Sequence, residues 1–296
     1  MTAAVALATT TVLFLSGSGW TDADYVPEVI APFVTPIVAG SVDLVPVRPA
    51  TGAAVRAALA AADGPAVVFG LSQGADTARE VRAALAADPA APPPSQLSFV
   101  VVGDPGGPGG LRDRLGMAPA PVDSAYDLTD VYGEYDPWRD FPDRLNPLAI
   151  ANAVAALPYV HMRYDDGVLD ELAGLEPTSV ETSPAGGTTT TYRIPTKRLP
   201  LAQALDDLGV DSRLVDRVEG PLRTAVDAGY SRNDAQTRAA LRKAAADTRS
   251  TLRKARADVR AGVRSTVRKV RDAVSGARRG GPASAASSAG ADSGDE

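Results

Sequence analysis

Gly70-Leu71-Ser72-Gln73-Gly74 is the segment of this sequence best suited to chemistry. A serine hydroxyl is a weak nucleophile until a neighbouring base takes its proton, and it reaches a substrate best from a sharp turn between a strand and a helix. Gly70 and Gly74 flank Ser72 at two residues on either side and leave the clearance such a turn needs. The backbone N–H of Gln73, at the expected helix start, would donate to an oxyanion developing on an attacked carbonyl. The competing expectation is that Ser72 only caps the helix.

Imidazole has the right basicity for the proton transfer, and the chain contains one histidine, His161, within Leu157-Pro158-Tyr159-Val160-His161-Met162-Arg163-Tyr164. A carboxylate must orient the ring and stabilise its charged form. Asp136 suits this best: it follows an expected strand, precedes His161 and stands at a Pro137 turn, in the order Ser, Asp, His used by α/β-hydrolases. Asp104, just past another strand end, and Asp140 remain alternatives, and the ordinary role of all three is turn former or cap. A second oxyanion donor is expected from the loop after the first strand, at Ser18, Gly19 or the amide of Trp20; an ordinary glycine-rich turn is the competing reading.

The surrounding elements must hold these groups together. Thr10 to Leu15 is β-branched and apolar without alternation, which predicts a strand covered on both faces, ending at Ser16-Gly17-Ser18-Gly19. Gly52 to Ala62 predicts a short helix, Pro65 to Phe69 a second buried strand that runs into the serine motif, and Ala75 to Ala87 the helix after it. Leu97 to Val102 and Ala125 to Val131 predict further strands, and residues 181–183 and 188–194 a hairpin around Pro184-Ala185-Gly186-Gly187. Leu148 to Leu157 is either a lid over an acyl pocket or a core helix. Strands alternating with helices predict an α/β fold of the α/β-hydrolase type, a mainly parallel central sheet flanked by helices, plus a C-terminal basic helical extension.

Hydrophobic residues make up 45% of the 296, enough for a sizeable core. The absence of cysteine removes disulfides and thiolate metal sites, and with one histidine neither a metal site nor a cofactor is expected. The net charge of −6 conceals an asymmetry: residues 1–237 hold 16 Lys/Arg against 30 Asp/Glu, whereas 238–279 hold 14 against 3. Residues 1–232 are therefore expected to form the hydrolase domain, 233–276 a basic amphipathic helix, and 277–296 a disordered Gly/Ala/Ser tail. The basic segment would lie on an anionic membrane or envelope polymer, pack as a coiled coil, or stay solvated; nucleic acid is not an expected partner, since interleaved aromatics are lacking. Ala3 to Leu15 has no preceding positive residue and is shorter than a membrane span, so a strand from about Thr10 to Leu15 is expected in place of an export signal, with Met1 to Ala8 as the remnant of a signal that starts upstream as the alternative.

Several separated stretches resemble the PE-PPE domain family, cutinase-like serine α/β-hydrolases of mycobacteria and related actinobacteria. Leu15 to Gly19 resembles the family's opening strand and Gly-Gly-Thr-Gly loop, Phe69 to Ala75 its nucleophile elbow, and Val102 to Gly110 its Gly-Asn/Asp-Pro loop. Tyr135-Asp136 with Asp140-Phe141-Pro142 and Asn146-Pro147-Leu148 resembles its acid-bearing segment, and Tyr159 to Tyr164 its histidine segment. Tyr192 to Thr196 with Leu199-Pro200-Leu201 resembles its closing hairpin and helix, so the resemblance spans residues 10 to 232. It implies esterase activity on acyl esters, in some members acyl transfer among trehalose glycolipids, with Ser72, Asp136 and His161 as the triad. Here Ser-Gly-Ser-Gly replaces Gly-Gly-Thr-Gly, and export by way of a PE or PPE helical module is not expected. The expected function is a serine esterase or acyltransferase, secreted or envelope-associated, or cytoplasmic if no upstream signal exists. The alternative is a catalytically silent fold that binds envelope lipid or polymer through the basic segment.

Overall fold

A computed structural model describes residues 9–21, 24–117, 122–234, 250, 253 and 254. The chain divides into two compact units, 1–245 and 246–296. In the second, Ser250, Arg253 and Lys254 are helical. The remainder of the expected basic helix beyond Asp234, and the tail 277–296, lie outside the described residues.

The first unit is built on a seven-stranded sheet: β1 (Thr10–Leu15), β2 (Val42–Pro46), β3 (Ala66–Leu71), β4 (Leu97–Val102), β5 (Leu128–Gly133), β6 (Ser179–Thr182) and β7 (Thr188–Ile194). Their order is β2-β1-β3-β4-β5-β7-β6. Every neighbouring pair is parallel except β6 with β7, the hairpin expected from the glycine-centred turn. The helices are α1 (Pro27–Val34), α2 (Gly52–Ala61), α3 (Gln73–Ala86), α4 (Leu111–Arg114), α5 (Pro147–Tyr159), α6 (Pro200–Asp207) and α7 (Ser212–Asp227). This is an α/β-hydrolase fold.

The unbroken apolar runs of the inner strands follow from burial on both faces. Val12 and Phe14 of β1 meet Val67 and Phe69 of β3, together with Ile30, Phe33 and Val34 of α1. Leu13 and Leu15 point the other way, to Val68, Phe99 and the inward stripe Ala75, Ala78, Val81 and Leu85 of α3. A third apolar cluster joins α5, α6 and α7 through Ala149, Ala156, Ala202, Val215 and Val226. α5 is thus partly a core helix, although Val154 and Leu157 on its other side stay exposed. Asn146 caps it by accepting from the N–H groups of Leu148 and Ala149, with Pro147 at the first position, where its missing N–H costs nothing.

Two elements, α1 and the edge strand β2, were not foreseeable from local pattern. β2 is only half-buried and mixes Asp43 and Pro46 with apolar residues, so it lacks the pattern of an inner strand. The strand expected over 125–131 runs instead over 128–133, because its register follows the pairing of Leu128 to Val131 with Phe99 to Val102. Among the described residues no helix is long and apolar enough to cross a membrane, and no group of three or more His, Cys, Asp or Glu could hold a metal.

Candidate active site

Ser72 stands between β3 and α3 with φ 50° and ψ −116°. A non-glycine residue at positive φ carries backbone strain that surrounding structure must sustain. Here the Ser72 N–H donates to Val102 O (2.8 Å) and its carbonyl accepts from Ala75 N (2.9 Å). A methyl group at Gly70 would come within 2.6 Å of Gly74 O, and one at Gly74 would collide with the carbonyl oxygen of Leu15, so both glycines are required by close backbone approach. Ser72 occupies the position of a helix cap, but its side chain makes no capping hydrogen bond. Its hydroxyl lies instead 2.9 Å from Nε2 of His161.

His161 follows α5 in a 3-10 turn, His161–Arg163, and its Nδ1 is 2.8 Å from Oδ2 of Asp136. An ionised carboxylate can only accept, so Nδ1 carries the proton and Nε2 is free to accept from the Ser72 hydroxyl. Asp136 is wholly buried. It sits in the turn after β5, where Oδ1 accepts from the backbone N–H of Trp138 (2.8 Å) and Arg139 (3.3 Å), and the phenol of Tyr164 donates to Oδ2. Burial pushes the Asp136 carboxyl up, but His161, the Tyr164 hydroxyl and the Trp138 amide outweigh it and hold Asp136 below the usual aspartate value. Burial and the adjacent carboxylate hold the Tyr164 phenol well above its ordinary value, so it stays a donor.

The structure therefore brings together Ser72, His161 and Asp136. The two alternative acids are held elsewhere. Asp104 pairs with Arg79 and accepts from Gly106 N (2.9 Å), beside a buried pair of Asp130 with Arg139 (2.7 Å). Asp140 accepts from the Tyr135 N–H (2.8 Å) and pairs with Arg232 (2.8 Å). It thereby secures Tyr135, like Ser72 a non-glycine residue at positive φ (67°), directly before Asp136.

The loop after β1 runs beside the serine: a methyl group added at Gly17 would fall 3.1 Å from Ser72 Cβ. The Ser18 hydroxyl donates to Oε1 of Gln73 (2.7 Å). Ser18, Gly19, Trp20 and Gln73 border one cavity of about 710 Å³ with Ser72 and His161. As the first residue of α3, Gln73 has an N–H with no intrahelical acceptor. Sequence reasoning missed Tyr164 as a partner of Asp136; its position three residues after His161, one helical turn further on, was the available sign. It also missed the apolar cavity wall of Val29, Phe33, Leu71 and Met162, whose members come from separate segments of the chain.

A family model described as the PE-PPE domain matches residues 50–231, from just after β2 to just beyond α7. The chain belongs to the PE-PPE domain family. Among the curated relatives it matches, the SL1278 acyltransferase Chp1 of Mycobacterium tuberculosis is 38% identical over 186 residues, which cover 59% of this chain and 46% of that protein. The diacyltrehalose acyltransferase Chp2 of the same organism is 36% identical over 190 residues, covering 57% and 52%. Its esterase PE16 is 37% identical over 204 residues, covering 61% and 37%. The matched part thus spans about half or less of each relative.

Proposed function

We propose that this PE-PPE domain protein is a serine esterase or acyltransferase that works through an acyl-enzyme on Ser72. His161 Nε2 takes the Ser72 proton as Oγ attacks the ester carbonyl, and the oxyanion is held by the Gln73 N–H with the Ser18–Gly19 loop. The intermediate collapses as the alcohol leaves with the proton from Nε2. Water or a second alcohol then attacks the acyl-enzyme, its proton again passing to Nε2, and Ser72 is restored. Asp136 orients the ring and stabilises the imidazolium without taking the proton.

The observation that carries this reading is the continuous relay of 2.9 Å and 2.8 Å from the strained serine to a buried carboxylate, opening on a cavity. Trp20, Val29, Phe33 and Leu71 give part of that cavity an apolar wall suited to an acyl chain. The names of the relatives, two acyltransferases and an esterase, agree with it, and a secreted or envelope-associated address suits acyl esters of envelope glycolipids. The test is a fluorophosphonate probe: the protein should be labelled at Ser72 and Ser72→Ala should not. An unlabelled, folded wild-type protein would sink the proposal and leave a silent hydrolase fold.

A further inference from the structure

The glycine-rich loop after β4, Gly103 to Gly110, supplies no member of the Ser72–His161–Asp136 relay. Loops usually run over the surface, but here residues 103–107 and 110 are buried. Two of the glycines stand where a side chain would strike the turn that carries Asp136. A methyl group at Gly107 would collide with Nε of Arg139 and lie 2.7 Å from its Cδ, and one at Gly110 would collide with the carbonyl oxygen of Trp138. The loop folds on itself to leave this room, with Gly107 N donating to Asp104 O (3.2 Å) and Gly110 N to Gly107 O (3.0 Å).

The buried side chain of Arg139 fills the space. Nη2 donates to Asp130 Oδ2 (2.7 Å), Nε faces both oxygens of the same carboxylate (3.1 and 3.3 Å), and Nη1 donates to the carbonyl of Pro108 in the loop. Cζ lies 4.3 Å from the centre of the Tyr132 ring. A two-pronged pair of arginine and carboxylate restricts orientation as well as distance. Asp130 and Tyr132 belong to β5, so Arg139 reaches back from the turn to the strand that the turn has just left. Burial works against the guanidinium charge, but Asp130 outweighs it and holds Arg139 above its ordinary value. Such a buried pair brings a fold little net stability over apolar residues of the same volume, which points to a role beyond holding the core together.

That role follows from the other end of the residue. The backbone N–H groups of Trp138 and Arg139 are donors to Asp136 Oδ1 (2.8 and 3.3 Å), and Asp140 N closes the turn on Asp136 O (2.7 Å). We infer that Arg139 is a positioning residue for the relay: locked between Asp130 and the glycine-rich loop, it fixes the turn whose amides aim Asp136 at His161. It acts through Asp136 and not on the substrate. The inference rests on the acyl-enzyme reading above, in which Asp136 works through His161.

The test is a double-mutant comparison in the full chain, read as kcat on p-nitrophenyl butyrate per serine titrated to completion with a fluorophosphonate, with folding confirmed by the thermal transition. Asp130→Asn/Arg139→Met removes both charges together, so neither is left buried without its partner, and Arg79 keeps Asp104. This variant should lose about tenfold to a hundredfold in kcat, the scale on which a displaced catalytic group lowers rate, while KM stays within about twofold of wild type. Introduced into Asp136→Asn, the same two changes should lower kcat by no more than about a further twofold, because the carboxylate they position is already gone. A purely structural role would depress both backgrounds alike. Should the double variant not fold, Arg139→Lys keeps the charge, loses the two-pronged grip and carries the same comparison. An unchanged kcat in the wild-type background, or an equal loss in both backgrounds, would overturn the inference. A folded wild-type protein that neither hydrolyses the ester nor takes the fluorophosphonate would overturn the esterase reading itself.

Discussion

Tyr164 donates its phenol proton to Oδ2 of Asp136, the same oxygen that faces Nδ1 of His161. The tyrosine oxygen in turn accepts from the Gly133 N–H at the end of β5 (3.0 Å). The orientation of the acid is thus tied to the sheet through a side chain that makes no hydrogen bond to the serine. A methyl group at Gly103 would fall 2.8 Å from Tyr164 Cε2 and 3.2 Å from Asp136 Oδ2, so the end of β4 closes the remaining side.

Tyr164→Phe should lower kcat/KM about tenfold and destabilise the fold by about 1–3 kcal/mol, since Asp136 loses a donor and the buried Gly133 N–H loses its acceptor. Ester hydrolysis and urea denaturation measure the two effects. Unchanged kinetics alongside the expected destabilisation would show that Tyr164 supports the fold only.

The three candidate acids should separate in kinetics. Asp136→Asn should retain the fold and lose on the order of 10³–10⁴ in kcat, because the amide no longer holds the required tautomer of His161. Asp104→Asn and Asp140→Asn should destabilise instead, each leaving a largely buried arginine short of its partner, while the folded fraction keeps its rate of fluorophosphonate labelling. Loss of labelling in folded Asp104→Asn would reassign the acid.

Acid stability should report the same carboxylate. Asp136 is held below its ordinary value, so its contribution is fully present above the unfolded aspartate pKa of about 3.9 and is lost as pH falls through the lower folded value. Between about pH 5 and 8 it adds no slope. Urea midpoints measured below about pH 4 should therefore fall more steeply for wild type than for Asp136→Asn; parallel curves would contradict the depressed value.

Gly74→Ala should cost at least about 2 kcal/mol, because the added methyl meets backbone carbonyls of Leu15 and Ser16 that no side-chain rotation can move aside. Gly64, with nothing within 4 Å of such a methyl but a φ of 115°, should be penalised for its conformation alone. Thermal denaturation ranks the two alanine variants, and Gly74→Ala should melt lower than Gly64→Ala. The opposite order would mean that the elbow can open around a methyl group.

Local chemistry determined much of this protein. The apolar runs of β1, β3 and β4 announce strands buried on both faces, the glycines around Ser72 announce a tight strand-to-helix turn, and a single histidine leaves one choice of imidazole. Those features are short-range or compositional, so they survive reading along one dimension. The sequence favoured Asp136 but left Asp104 and Asp140 open, and tertiary structure decided between them: Asp136 meets Nδ1 of His161, while Asp104 and Asp140 are held by other partners. It also decided the edge strand β2, the register of β5, the role of Tyr164 and the pairing of Asp76 with Arg112 across 36 residues of sequence. Each of these depends on contacts between distant segments, whose energies no local pattern encodes.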